Sequence, residues 1–227
     1  MKTILVLLTM ITLPGAYAQD WPNLKKYESA NASIHSSGDY PSVVFMGNSI
    51  TEGWFQQRPE FFKKHGFEGR GIGGQTTPQM LIRFTPDVID LQPEVVVILA
   101  GTNDIAGNTG PSTVKMITDN IAAMAMLSKA HGIKVVISSI LPVKEYPWSG
   151  EVNAVENIAA VNHWMKEYAR EQGFVYLDYF SAMVDEHQGL PKIYSEDGVH
   201  PNQKGYEVME PMVLKAIEKA REKGQAE

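Results

Sequence analysis

Five apolar runs punctuate the chain, and between them apolar residues return every three or four positions. Residues 43–46 (Val-Val-Phe-Met) form a short run closed by Gly47. Residues 67–72 are a weaker candidate, rich in glycine. Residues 94–100 are β-branched and unbroken, 134–140 repeat that pattern until Pro142 stops it, and 174–178 make the fifth. Runs without polar alternation are buried on both faces, which is the mark of a parallel sheet between helices.

The intervening segments read as helices. Val114, Ile117, Ile121 and Met124 share one face, with Pro111 and Ser112 as a start signal. Val155, Ile158, Val161, Met165 and Tyr168 do the same and end near Gly173. Tyr206, Met209, Val213 and Ile217 line a last helix with an expected kink at Pro211. The polar tail from Lys219 is expected to fray. Strands and helices alternate throughout, with no repeat or linker, so a single α/β domain is expected.

In such a sheet, ligands bind beyond the carboxyl ends of the strands, and polar motifs stand at those ends. Gly47-Asn48-Ser49-Ile50 follows the first strand and Gly71-Ile72-Gly73-Gly74-Gln75 the second. Gly101-Thr102-Asn103-Asp104 follows the third, and Asp197-Gly198-Val199-His200 precedes the last helix. Ser49 offers a hydroxyl at a helix start, where its own N–H has no helical partner. Gly74 offers a backbone N–H, and Asn103 a carboxamide donor, for a developing oxyanion. The three-residue spacing of Asp197 and His200 lets the carboxylate reach the imidazole, fix its tautomer and stabilise its charged form. Each motif alone also fits a commoner role: an N-cap serine, a glycine turn, a capping asparagine. Their joint order along one rim favours chemistry. A metal site would need more ligands than Asp197 and His200, so neither metal nor cofactor is expected.

Composition narrows the rest. Lys2, an apolar run over 3–13 and Ala16-Tyr17-Ala18 are the three parts of an export signal, so residues 1–18 are expected to be removed. That leaves 19–227 as one domain with a sizeable core. The run is too short to span a bilayer, and a chain without cysteine has no residue for a lipid anchor. A periplasmic or secreted product without a stable membrane anchor is expected. The net charge of −6, with no basic run, argues against nucleic acid. Oligomeric state is left open.

The four motifs resemble, in order and spacing, the four blocks of the SGNH hydrolases, also called GDSL-type esterases, near the branch of the platelet-activating-factor acetylhydrolase subunits. The resemblance runs from about residue 43 to 206. It implies a three-layer α/β/α sandwich with a flavodoxin-like five-stranded parallel sheet of order 2-1-3-4-5. It also implies Ser49 as nucleophile, His200 as base, Asp197 as third catalytic member, and an oxyanion hole from Ser49 N–H, Gly74 N–H and Asn103. Two positions depart from the family pattern: Asn48 and Gln75 stand where relatives carry aspartate. The elbow of α/β-hydrolases, G-x-S-x-G, is excluded because Thr51 occupies its last position.

For substrate, the segment 141–150 carries Lys144, Tyr146 and Trp148 onto the same rim, and Asn48, Tyr146 and Trp148 are candidate substrate contacts. Trp148 could stack on a sugar, line an acyl slot, or simply pack its loop. No long apolar lid is visible. Short acyl esters of carbohydrates are therefore the expected substrate. Lysophospholipase, thioesterase or arylesterase activity is the enzymatic alternative, and a carbohydrate-binding protein without turnover the non-enzymatic one.

Overall fold

A computed structural model describes residues 19–223 of the chain. The expected export signal lies outside the described residues. Five parallel strands form one sheet of order β2-β1-β3-β4-β5. They are β1 (Val43–Gly47), β2 (Phe67–Gly71), β3 (Val95–Leu99), β4 (Lys134–Ser138) and β5 (Val175–Leu177). The strand order reverses at β1, which pairs with β2 on one side and β3 on the other, and the ends of β1 and β3 are level, Gly47 opposite Leu99. In sheets of this kind the loops leaving the strands on either side of the reversal diverge, and ligands bind beyond those strand ends.

Side-chain alternation along the strands divides the core in two. Val44, Met46, Val96, Ile98, Val135 and Ile137 face one cluster, covered chiefly by α4 (Thr77–Ile82), α6 (Val114–Ala130) and α7 (Ala154–Gln172). Val43, Phe45, Val95, Val97, Leu99 and Val136 face the other, covered by α2 (Ser49–Gln57), α3 (Pro59–His65), α8 (Tyr179–Met183) and α9 (Gln203–Lys223). Helices on both faces make the expected three-layer sandwich. The second cluster is the more aromatic, with Trp54 stacked between Phe61 and Tyr206 at 5.6 and 5.5 Å.

Local chemistry sets the helix ends. Asn48 caps α2, its Oδ1 accepting the Ile50 N–H at 3.0 Å. Thr76 and Gln79 form a capping box at the start of α4. Thr113 caps α6, one residue beyond the expected Pro111-Ser112 signal, and Gly173 ends α7 in the left-handed conformation. One expectation is corrected at the last helix. It is one element from Gln203 through Pro211 to Lys223. Beyond Lys219 it is anchored rather than frayed: Ala220 is buried, Arg221 pairs with Glu94 at 2.9 Å, and Lys223 Nζ donates to the Gly173 and Phe174 carbonyls.

The remaining elements are small or peripheral. An N-terminal arm of a 3-10 turn (Leu24–Lys26) and α1 (Glu28–Ser37) runs past the end of β2, and a π-helical turn (Thr85–Ile89) and the short α5 (Thr102–Ile105) complete the fold. No described helix is long and apolar enough to cross a membrane.

Candidate active site

Ser49 opens α2 two residues beyond the end of β1. Its Oγ lies 2.8 Å from His200 Nε2, although 151 positions separate them in sequence. His200 Nδ1 lies 2.7 Å from Asp197 Oδ2. The other carboxylate oxygen, Oδ1, accepts the N–H groups of His200 and Val199 at 2.8 and 2.9 Å and the Ser195 hydroxyl at 3.1 Å. Ser195 also pairs with Pro201 across a single antiparallel bridge, closing the loop that holds both residues. Partial burial acts to raise the Asp197 carboxyl. The His200 N–H, the His200 imidazole and the Val199 N–H outweigh it and hold the group at about 2. Asp197 is therefore a carboxylate through the neutral range, and the Nδ1 proton is fixed toward it, which leaves Nε2 as acceptor for the Ser49 hydroxyl.

The two expected oxyanion donors lie on the loops that follow β2 and β3. Gly74 is exposed and has φ +75°, a conformation in which any other L residue is strained. Asn103 is buried at the start of α5, and its Nδ2 donates to the Gln75 carbonyl at 2.9 Å. One carboxamide hydrogen thus ties Asn103 to the residue after Gly74.

Several residues hold this loop, and Glu52, Tyr27 and Arg83 among them were missed by sequence reasoning. Glu52, one turn after Ser49, accepts the Gly73 N–H at 2.8 Å and pairs with Lys26 of the N-terminal arm, also at 2.8 Å. Tyr27 donates its hydroxyl to the Gly71 carbonyl. Gln75, at one of the family's aspartate positions, donates to the Pro22 carbonyl at 2.6 Å and accepts from Arg83 at 2.5 Å. Arg83 is fully buried and donates also to the Gly47 and Arg70 carbonyls, both at 2.9 Å, where β1 and β2 end, and to Asp87 at 2.9 Å. A buried guanidinium with every direction of its fork engaged clamps those strand ends together. Asp104 anchors the third loop: its carboxylate accepts the Thr77 N–H at 3.0 Å and the Thr77 hydroxyl at 2.6 Å. Burial pushes this carboxyl up to about 6, against the opposing pull of those bonds. Apart from the i,i+4 pair of Arg83 and Asp87, no periodic signal marks these polar residues, because their partners lie in other elements.

Two candidate substrate contacts are corrected. Asn48 is buried, with its side chain spent on capping α2. Tyr146 is buried too; its hydroxyl meets Thr102 Oγ1 at 2.9 Å, and burial raises it to about 12. Both serve the scaffold, whereas Trp148 remains 46% exposed on the rim. Among the described residues no group of three His, Asp or Glu side chains is placed to hold a metal ion.

Comparison with known proteins identifies the family. A model of the GDSL-like lipase/acylhydrolase family fits residues 45–208, which contain all four motifs. A crystal structure of a GDSL-like lipase from Bacteroides thetaiotaomicron superposes with a TM-score of 0.84 at 45% identity, covering 88% of this chain and 98% of that one. The isoamyl acetate-hydrolyzing esterase of Saccharomyces cerevisiae is 26% identical over 209 residues, 79% of this chain and 87% of that protein. An acetyl xylan esterase structure shares the fold, with a TM-score of 0.64 at 22% identity over 77% of this chain and 98% of its own. The chain belongs to the GDSL-like lipase/acylhydrolase family and is a carboxylic-ester hydrolase.

Proposed function

We propose that the protein is an exported serine esterase that removes short acyl groups, acetyl above all, from carbohydrates. The observation that carries the mechanism is the unbroken line from Ser49 Oγ to His200 Nε2 and from His200 Nδ1 to Asp197 Oδ2, at 2.8 and 2.7 Å. His200 takes the Ser49 proton as Oγ attacks the ester carbonyl carbon. The tetrahedral oxyanion is held by the N–H groups of Ser49 and Gly74 and by Asn103 Nδ2. As the carbon–oxygen bond to the alcohol breaks, His200 gives its proton to the departing oxygen. Water, deprotonated by His200 in turn, then attacks the acyl-enzyme, and Ser49 regains its proton as the acid leaves.

Acetyl is favoured by the yeast relative, whose name specifies an acetate ester. Carbohydrate is favoured by the export signal read from residues 1–18 and by the polar side chains, among them Lys144 and Glu145, exposed on the loop beside Trp148.

Hydrolysis of p-nitrophenyl acetate, butyrate and octanoate tests the reading, with Ser49→Ala and His200→Ala alongside. Activity should fall steeply with acyl length and vanish in both variants. Asn103→Ala should lose about 10²–10³ in kcat. Full activity in Ser49→Ala would overturn the mechanism, and activity rising with chain length would move the substrate to lipids.

A further inference from the structure

Trp148 stands on the loop after β4, its indole 5.9 Å from the His200 imidazole with the ring planes inclined by 32°. On its other side it meets Tyr146 at 5.5 Å, and Tyr146 is itself fixed by Thr102. The indole Nε1–H donates to Asn108 Oδ1 at 3.0 Å. Asn108, on the loop after α5, donates its own Nδ2 to the Gly74 carbonyl at 3.1 Å. With oxygen and nitrogen both engaged, the Asn108 carboxamide has one orientation, and it joins the indole to the glycine expected to bind the oxyanion.

These contacts leave the indole an unusual position. Its polar atom is satisfied, its edge is held, yet nearly half of its surface stays in water beside the candidate base. A tryptophan that only packs its loop has no need of an anchor 40 positions away on another loop. The direction of proton flow says what lies there. In the proposed reaction, His200 delivers its proton to the departing oxygen. The alcohol half of the ester must therefore lie on the His200 side, and the acyl carbon between Ser49 and the oxyanion donors. The group that reaches Trp148 is the alcohol. A flat aromatic face suits the C–H face of a pyranose ring, and the adjoining open groove, lined by Lys144, Glu145, Ser149, Glu151 and Asn153, suits its hydroxyls.

We propose that Trp148 is the specificity-determining residue for the alcohol half of the ester, a stacking platform for a sugar ring. Asn108 is the positioning residue that aligns this platform with the oxyanion loop. The assignment rests on the serine-esterase reaction above.

The test compares an acetylated methyl xyloside with ethyl acetate, both acetate esters, using the protein without its export signal. Trp148→Ala should lower the preference for the xyloside over ethyl acetate about tenfold, mostly through KM, and Trp148→Phe should restore much of it. Asn108→Asp keeps an acceptor for the indole and loses the donor to Gly74. It should lower kcat on both esters and leave the preference in place, whereas Asn108→Ala should lose both. A preference unchanged in Trp148→Ala, with both esters turned over, overturns the assignment alone. No turnover of either ester by the unsubstituted protein overturns the reaction and the assignment together.

Discussion

Arg83 Nε donates to Gln75 Oε1 at 2.5 Å, beneath the loop that carries Gly74. Both side chains are buried, and the pair links the ends of β1 and β2 to the N-terminal arm through the Gly47, Arg70 and Pro22 carbonyls. Gln75→Ala leaves a buried guanidinium N–H and a carbonyl without partners. Stability should fall by about 1–3 kcal/mol in urea denaturation. The Gly74 loop loses its inner tether as well, so kcat should fall more than KM rises.

Asp197 fixes the tautomer that makes His200 an acceptor for Ser49. Asp197→Asn should therefore reduce kcat by about 10⁴. Steady-state kinetics on an activated acetate ester would show it. Loss of less than tenfold would mean that His200 is oriented by its backbone alone.

Two carboxyls give opposite pH dependences to stability. Asp197 is depressed from 3.8 to about 2 in the folded chain, so its contribution is present above about pH 4 and is lost as pH falls through 2. Asp104 is raised from 3.8 to about 6, so between those values the folded chain holds a proton that the unfolded chain has released. Its contribution is full below 3.8 and declines as pH rises through 6. Asp104→Asn keeps an acceptor for Thr77 and removes the titration. Midpoints of thermal unfolding measured from pH 3 to 8 should show a flatter profile in the variant between about pH 4 and 6.

Gly71 ends β2 where α2 begins. A Cβ there would lie 2.2 Å from the Glu52 nitrogen and 2.6 Å from the Asn48 oxygen, both backbone atoms of the turn that presents Ser49. Two residues earlier, the nearest neighbours of a Cβ on Gly69 are side-chain atoms of Phe55, the ring at 2.8 Å and the Cβ at 2.9 Å; the partly exposed ring can turn away, and the Phe55 Cβ needs a smaller shift than the backbone atoms around Gly71. Gly71→Ala should cost at least the about 3 kcal/mol that marks severe overpacking, and Gly69→Ala distinctly less. Paired denaturation curves check the order.

The strands were legible because double burial leaves no room for polar alternation. The five runs at 43–46, 67–72, 94–100, 134–140 and 174–178 contain the five observed strands to within one or two residues at either end. The resemblance supplied their order, and the sheet has it. The family motifs at strand ends were equally readable, since each is local in sequence. Asn48 and Tyr146 misled because position on a rim does not say whether a side chain points outward. Asn48 turns back to the Ile50 N–H, and Tyr146 inward to Thr102.

By itself, then, the sequence determined the five strands, the three long helices and the order of the polar motifs, all of which follow from periodicity and short-range capping. Only the tertiary structure decided the 2.8 Å meeting of Ser49 with His200, the buried Arg83–Gln75 clamp, the hold of Glu52 on Gly73, and the line from Trp148 through Asn108 to Gly74. Those are individual hydrogen bonds between residues 8 to 151 positions apart in the chain, in different structural elements. Such a bond leaves no repeat in either segment, and it forms only after burial of the apolar runs has brought its two ends within reach.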